Sequence, residues 1–196
     1  MNESKKFNTQ KLVLLAIFTA IVILLQFFGS FIRFGQFSIS LVLMPIAVGA
    51  ALMGSLTGVW LGFVFGMVVL ISGDANPFLM LNPAATILVV LLKGMLAGLA
   101  AGFVYKLLKN RNKTVAAIAA AVVCPVINTG TFIIGCYLFF LPALTQWGMQ
   151  DNAASVTEYI FLGLIGANFL LEAGVNLILS PAIVRLIQYR YDSKEH

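Results

Sequence analysis

Charge is what this sequence has least of. Only 10% of its 196 residues are charged, 12 Lys and Arg against 7 Asp and Glu. A soluble domain carries roughly 25%, so a soluble globular fold is excluded and an integral membrane protein is expected. Histidine occurs once, as His196, so no metal-ligand cluster is visible and no metal or other cofactor is expected. Two cysteines are present, Cys124 and Cys136. On a continuous helix they would stand about 18 Å apart, too far to pair, and they read as small apolar fillers. The motifs of catalysis are missing too: no H-E-x-x-H, no G-x-S-x-G, no P-loop and no paired intramembrane aspartates. An enzyme is therefore not expected. The first apolar run has no small-residue cleavage site followed by a polar mature region, so it reads as a retained helix.

What the chain has in abundance is apolar sequence, 61% of all residues. At about 20 residues per span plus short loops, the length suits a single membrane domain, residues 1–196. It leaves no room for a soluble ATP-binding domain. The pattern predicts an all-α protein of six transmembrane helices over residues 9–30, 37–53, 56–71, 83–108, 115–141 and 158–187. Pro45 should kink the second, and Pro125 should bend the fifth. Residues 34–73 hold no charge and are too long for one span, so they divide at Gly54-Ser55. Residues 72–82 read as a loop by their turn residues, and Pro83 suits a first helical turn. Residues 142–157 are the longest polar connection. Gly54, Gly58, Gly62 and Gly66 recur every four residues, a close-packing stripe expected to serve contacts inside the bundle. Trp60 should pack within the third helix.

The positive charges orient the chain. Ten of the twelve lie in three places: Lys5, Lys6 and Lys11; Lys106, Lys109, Arg111 and Lys113; Arg185, Arg190 and Lys194. Six helices put all three on one side, which the positive-inside rule makes cytoplasmic, together with both termini. The run KLLKNRNK at 106–113 is then a topology anchor rather than a nucleic-acid patch. Arg33, Asp74, Asp151 and Glu158 fall on the other side.

Two charges remain inside predicted helices, Lys93 and Glu172. An ionisable group at membrane depth costs at least about 2.5 kcal/mol, so it faces the bundle interior and has a reason to be there. Asn82, Thr86 and Lys93 share one face of the fourth helix. Asn168, Glu172 and Asn176 share one face of the sixth. The fifth offers Asn128, Thr129 and Thr131 midway. Aromatics (Phe27, Phe28, Phe31, Phe34, Phe78, Tyr137 and Tyr159) gather toward the outer end. Polar groups beneath an aromatic mouth suit a small, partly polar solute taken from outside. The competing reading is a structural Lys93–Glu172 ion pair, with the asparagines bridging helices.

The first helix reads KLVLLAIFTAIVILL, and its Ala16-x-x-x-Ala20 puts two small residues on one face, where another helix can approach closely. With VCPVINTG at 123–130 and GANFLLEAGVNLILSP at 166–181, the chain resembles the substrate-binding (S) subunits of energy-coupling factor (ECF) vitamin transporters. The resemblance covers essentially the full length. It implies a bacterial plasma-membrane subunit that captures a water-soluble vitamin and does not hydrolyse ATP. It implies that the 31–37 connection, with Arg33 and Gln36, is a gating lid. It implies that Ala16 and Ala20 dock on a membrane-embedded coupling subunit joined to two cytoplasmic ATPases. It places the ligand near Asn82, Thr86, Lys93, Asn128 and Asn168, and the polar faces of the fifth and sixth helices add Thr131 and Glu172 as substrate-binding candidates. Lys93 would complement a carboxylate, and the amides and hydroxyls would complement hydroxyl and amide groups. Pantothenate fits that set best; riboflavin and other vitamins stay open. From other classes, a self-contained secondary carrier would show inverted repeats, and none is evident. A structural subunit would use Lys93 and Glu172 only for each other.

Overall fold

A computed structural model describes residues 9–31, 33–34, 37–38, 41–166, 169–170 and 173–174. The described chain is almost wholly helical. The elements are α1 (Thr9–Phe31), β1 (Arg33–Phe34), β2 (Phe37–Ser38), α2 (Leu43–Met53), α3 (Ser55–Ser72), α4 (Asn76–Leu79), α5 (Pro83–Leu108), α6 (Lys113–Gly135), α7 (Leu141–Gln150) and α8 (Val156–Glu158). A π-helical turn, Cys136–Phe140, joins α6 to α7, and a second, Tyr159–Gly166, follows α8. β1 and β2 pair antiparallel, Arg33 opposite Ser38 and Phe34 opposite Phe37. Among the described residues, four helical stretches are long and apolar enough to cross a membrane: Thr9–Ser30, Ser55–Ser72, Pro83–Leu108 and Lys113–Gln150.

Local chemistry explains the boundaries. The Asn82 side chain caps α5 by accepting from the Ala85 amide at 3.2 Å, and Pro83 opens the helix. Asn112 caps α6, accepting from the Thr114 and Val115 amides at 2.9 and 3.1 Å. α3 ends on Gly73, whose φ of 86° is the left-handed geometry glycine adopts without strain. Gly54, at φ 105°, divides α2 from α3, at the expected position.

Several sequence expectations need correction. The second helix, expected from residue 37, begins at Leu43, and Phe37 and Ser38 pair in β2 instead. Pro45 starts α2 rather than kinking it, because it falls in the first turn, where its missing N–H has no intrahelical partner to lose. Residues 142–150 are helical, not a polar connection. Pro142 is tolerated in the first turn of α7, and Leu144 and Gly148 are buried. Trp60 is half exposed and donates its indole N–H to the Thr19 hydroxyl at 3.2 Å, tying α3 to α1. The 72–82 segment also holds one short helix, α4.

α5 is the central element and packs chiefly on α3 and α6. The glycine stripe of α3 makes the first of these contacts. A Cβ on Gly58 would collide with the backbone of Gly98, one on Gly62 with the backbone of Gly94, and one on Gly66 would lie 3.0 Å from the Val90 carbonyl. The two helices therefore run antiparallel with their backbones in contact, so the stripe serves a close contact inside the bundle, as expected. Two apolar cores result. One joins α1, α2, α3, α5 and α6 around Val22, Leu43, Ile46, Phe65 and Ala120. The other joins Phe78, Cys136, Phe140, Leu144, Tyr159 and Ile160.

α1 has two unlike faces. Val22, Gln26 and Ser30 are buried, whereas Val13, Ala16, Ile17, Ala20 and Leu24 are exposed. Only 17% of its most apolar stretch is buried, against 33% to 44% in the other three. The polar glutamine faces in and the apolar residues face out, the inverse of a soluble helix.

Candidate ligand cavity

A cavity of about 100 Å³ opens where the two cores meet. A single water needs roughly 10–15 Å³ by this measure, so the space admits a small organic solute. Phe65, Val69, Val90, Phe78, Phe140 and Leu164 supply its apolar wall. Gln26, Asp74, Thr86, Lys93, Asn128 and Thr129 supply its polar groups.

Lys93 is the cation of the site. Its Nζ lies 5.7 Å from the centre of the Phe65 ring and 5.2 Å from that of Phe132. Both distances suit cation–π contact, and the rings hold the ammonium among apolar groups, where an anion is attracted strongly. Asn128 is 6% exposed, and its Oδ1 has no hydrogen-bond partner among the described residues. A buried carbonyl oxygen without a partner costs about 1–3 kcal/mol, a cost that a donor from a ligand removes. Thr86 is buried and donates to the Asn82 carbonyl at 2.8 Å, which leaves its oxygen able to accept.

The opposite end of the cavity is anionic. Asp74 Oδ2 accepts from the Gln26 amide at 2.8 Å and from the Ser72 hydroxyl at 3.2 Å. Gln26 is 1% exposed, so this bond ties α1 to the α3–α4 connection inside the protein.

Of the expected site residues, the fold brings Thr86, Lys93 and Asn128 to this one cavity. Asn82 is exposed and acts as the cap of α5. The Thr131 hydroxyl bonds back to the Ile127 carbonyl at 2.8 Å; its neighbour Thr129 lines the cavity instead. For Arg33 the backbone alone is described, in β1. Gln36, Asn168, Glu172 and Asn176 lie outside the described residues. Among the expected mouth aromatics, Phe78 lines the cavity, whereas Phe27 and Phe28 point outward and Tyr159 is buried in the second core. Phe78 also meets Phe132, Phe140 and Trp147 edge to face, with ring centres 4.9 to 5.7 Å apart.

Sequence reasoning missed Gln26 and Asp74 as cavity residues. The available signal for Gln26 was that it and Thr19 alone interrupt the apolar run of the first helix with polar groups before Ser30. Asp74 offered less, since an acidic residue among turn residues reads as solvated.

Comparison with known proteins places the chain in a family. The chain is 25% identical over 197 residues to a pantothenic acid transporter, PanT, of Lactococcus lactis subsp. cremoris (strain MG1363), covering 92% of this chain and 94% of the relative. No solved structure matches. A family described as ECF transporter, substrate-specific component, matches residues 10–184. A small-solute cavity inside an apolar helical bundle, and a family match over most of the chain, lead to one conclusion: this protein belongs to the substrate-specific components of ECF transporters.

Proposed function

We propose that this protein captures pantothenate outside a bacterial cell and delivers it to an ATP-driven importer. Residues 1–196 form a single domain of six spans with both termini in the cytoplasm. The protein docks through Ala16 and Ala20 on a membrane-embedded coupling subunit, which two cytoplasmic ATPases drive. Arg33 and Gln36 serve as a gating loop, and Asn168 and Glu172 take part in binding the substrate. The observation that carries the ligand assignment is Lys93, a cation held between two aromatic rings at the wall of a cavity that also presents amide and hydroxyl groups. The similarity to a pantothenic acid transporter supports it. Pantothenate carries one carboxylate, one amide and two hydroxyls around an apolar centre, a complement to the lining groups.

Thermal stabilisation of the purified protein against a panel of water-soluble vitamins tests the assignment. A ligand that binds only the folded state adds about 2.7 kcal/mol at 100 times its Kd. Pantothenate should raise the unfolding midpoint, and a hit from another vitamin alone would replace it. Lys93→Ala should weaken pantothenate binding by at least about tenfold, the loss of one charge-assisted contact. Lowered stability with unchanged affinity would make Lys93 structural.

The topology has its own test. Asn110 is exposed between α5 and α6. In the otherwise cysteine-free protein, Asn110→Cys should react with a membrane-impermeant maleimide only from the cytoplasmic side. Labelling of intact cells from outside would invert the arrangement.

A further inference from the structure

We infer that the cavity binds its ligand in one orientation, carboxylate toward Lys93 and hydroxyl groups toward Asp74. The inference rests on the pantothenate reading and adds the direction in which that ligand lies.

The two charged residues lie at different depths. Asp74 follows Gly73, the residue that ends α3. Phe65, against which Lys93 rests, lies seven residues inside that helix, about 10 Å from Ser72. α5 gives a second measure. Pro83 begins it at the end where Asp74 lies, and the Lys93 Cα is ten residues in, about 15 Å along the axis, with its Nζ beside the Phe65 and Phe132 rings. Asn128 is deeper than Phe132 by one turn of α6, on the Lys93 side. The cavity thus has a cationic deep end, Lys93 with Asn128, and an anionic end at the 73–75 connection, Asp74 with Gln26.

The chemistry of each end selects a ligand group. An ionised carboxylate can only accept hydrogen bonds. At Asp74 a ligand carboxylate would meet like charge across a short, partly apolar space, where repulsion is poorly screened. A hydroxyl at Asp74 donates a charge-assisted hydrogen bond instead. At Lys93 the preference reverses. The bonds from Gln26 and Ser72 hold the Asp74 carboxylate in place, so its position does not await the ligand. Pantothenate carries its carboxylate at one end and its hydroxyls toward the other. Only one of its two directions satisfies both ends of the cavity.

Crossing ligands with variants tests this, using titration calorimetry on the full-length protein in nanodiscs. The ligands are pantothenate, its alcohol analogue with –CH2OH in place of the carboxylate, and pivaloyl-β-alanine, which keeps the carboxylate and lacks both hydroxyls. Lys93→Ala should weaken pantothenate and pivaloyl-β-alanine by at least about tenfold while changing the alcohol analogue less than about threefold. Asp74→Ala should do the reverse, weakening pantothenate and the alcohol analogue while sparing pivaloyl-β-alanine. Retained binding of the spared ligand also shows that each variant is folded. Asp74→Asn preserves an acceptor for Gln26 and Ser72 and should fall between wild type and Asp74→Ala. If wild type binds pantothenate but each substitution weakens all three ligands equally, or the pattern is exchanged, the orientation is overturned and the ligand assignment stands. If wild type does not bind pantothenate, the ligand assignment falls and this orientation with it.

Discussion

Replacing Gly62 with alanine is expected to lower the unfolding midpoint by of the order of 5–10 °C, and replacing it with leucine is expected to leave no monodisperse protein. The alanine Cβ would collide with the Gly94 carbonyl, a backbone group that cannot rotate away. α3 and α5 would have to separate. In lipid their association depends on close packing, since the tails are as apolar as the side chains and burial alone gives little. Overpacking typically costs 1–3 kcal/mol, which is roughly the stated shift for a chain of this size. Gly130→Ala is the matched control, because a Cβ there meets nothing within 4 Å. It removes the same helical glycine without touching a neighbour and should hold or raise the midpoint. Gly94 faces Gly62 in return, so Gly62→Ala and Gly94→Ala together should cost less than their sum, the helices being already apart after the first. Equal losses at Gly62 and Gly130 would show that helix contact is not the cause. The same substitution should also weaken ligand binding, since α3 carries Phe65 and Val69 and α5 carries Thr86 and Lys93.

Ala20→Trp is expected to abolish uptake while leaving ligand affinity within about twofold of wild type. Ala16 and Ala20 are exposed on a helix that buries its opposite side. The group that α1 gives to the cavity is Gln26, on the buried line with Val22 and Ser30. A tryptophan at position 20 therefore has open space in the isolated protein. It obstructs a partner only where two helices must come into backbone contact, as small-xxx-small faces allow. Proteoliposomes containing the whole transporter, loaded with ATP and supplied with labelled pantothenate, give the uptake rate. Calorimetry on the subunit alone gives the affinity. Lost affinity would assign the alanines to the cavity or the fold. Unchanged uptake would move the docking surface to another face.

Part of the cavity was legible from residue spacing, and part was not. Thr86 and Lys93 are seven residues apart on one continuous helix, so they share a face. Asn82 obeys the same arithmetic but not the same geometry. As the cap of α5 it has an extended backbone, φ −152° and ψ 93°, and its side chain turns back to the helix amides. On α6 the spacing rule marked Asn128, Thr129 and Thr131 without choosing among them. The packing of α5 against α6 puts Asn128, Thr129 and Phe132 at the cavity and leaves Thr131 bonded to its own helix. The helix through 142–150 was obscured by Pro142 and by polar residues that look like a connection. Burial of Leu144 against the second core overrides that appearance.

By itself the amino-acid sequence determined the membrane class, most helix boundaries and the close approach of α3 to the rest of the bundle. Each of these depends on local composition, caps or helical phase. Only the tertiary structure decided which side of each helix faces inward and which distant polar groups meet. In water, apolar periodicity marks the inner face of a helix; in lipid both faces are apolar, so only scattered polar residues carry that information. Gln26 and Asp74 are 48 residues apart and meet at 2.8 Å. Their meeting depends on how α1 lies against α3 and on where Gly73 turns the chain, neither of which any local stretch encodes.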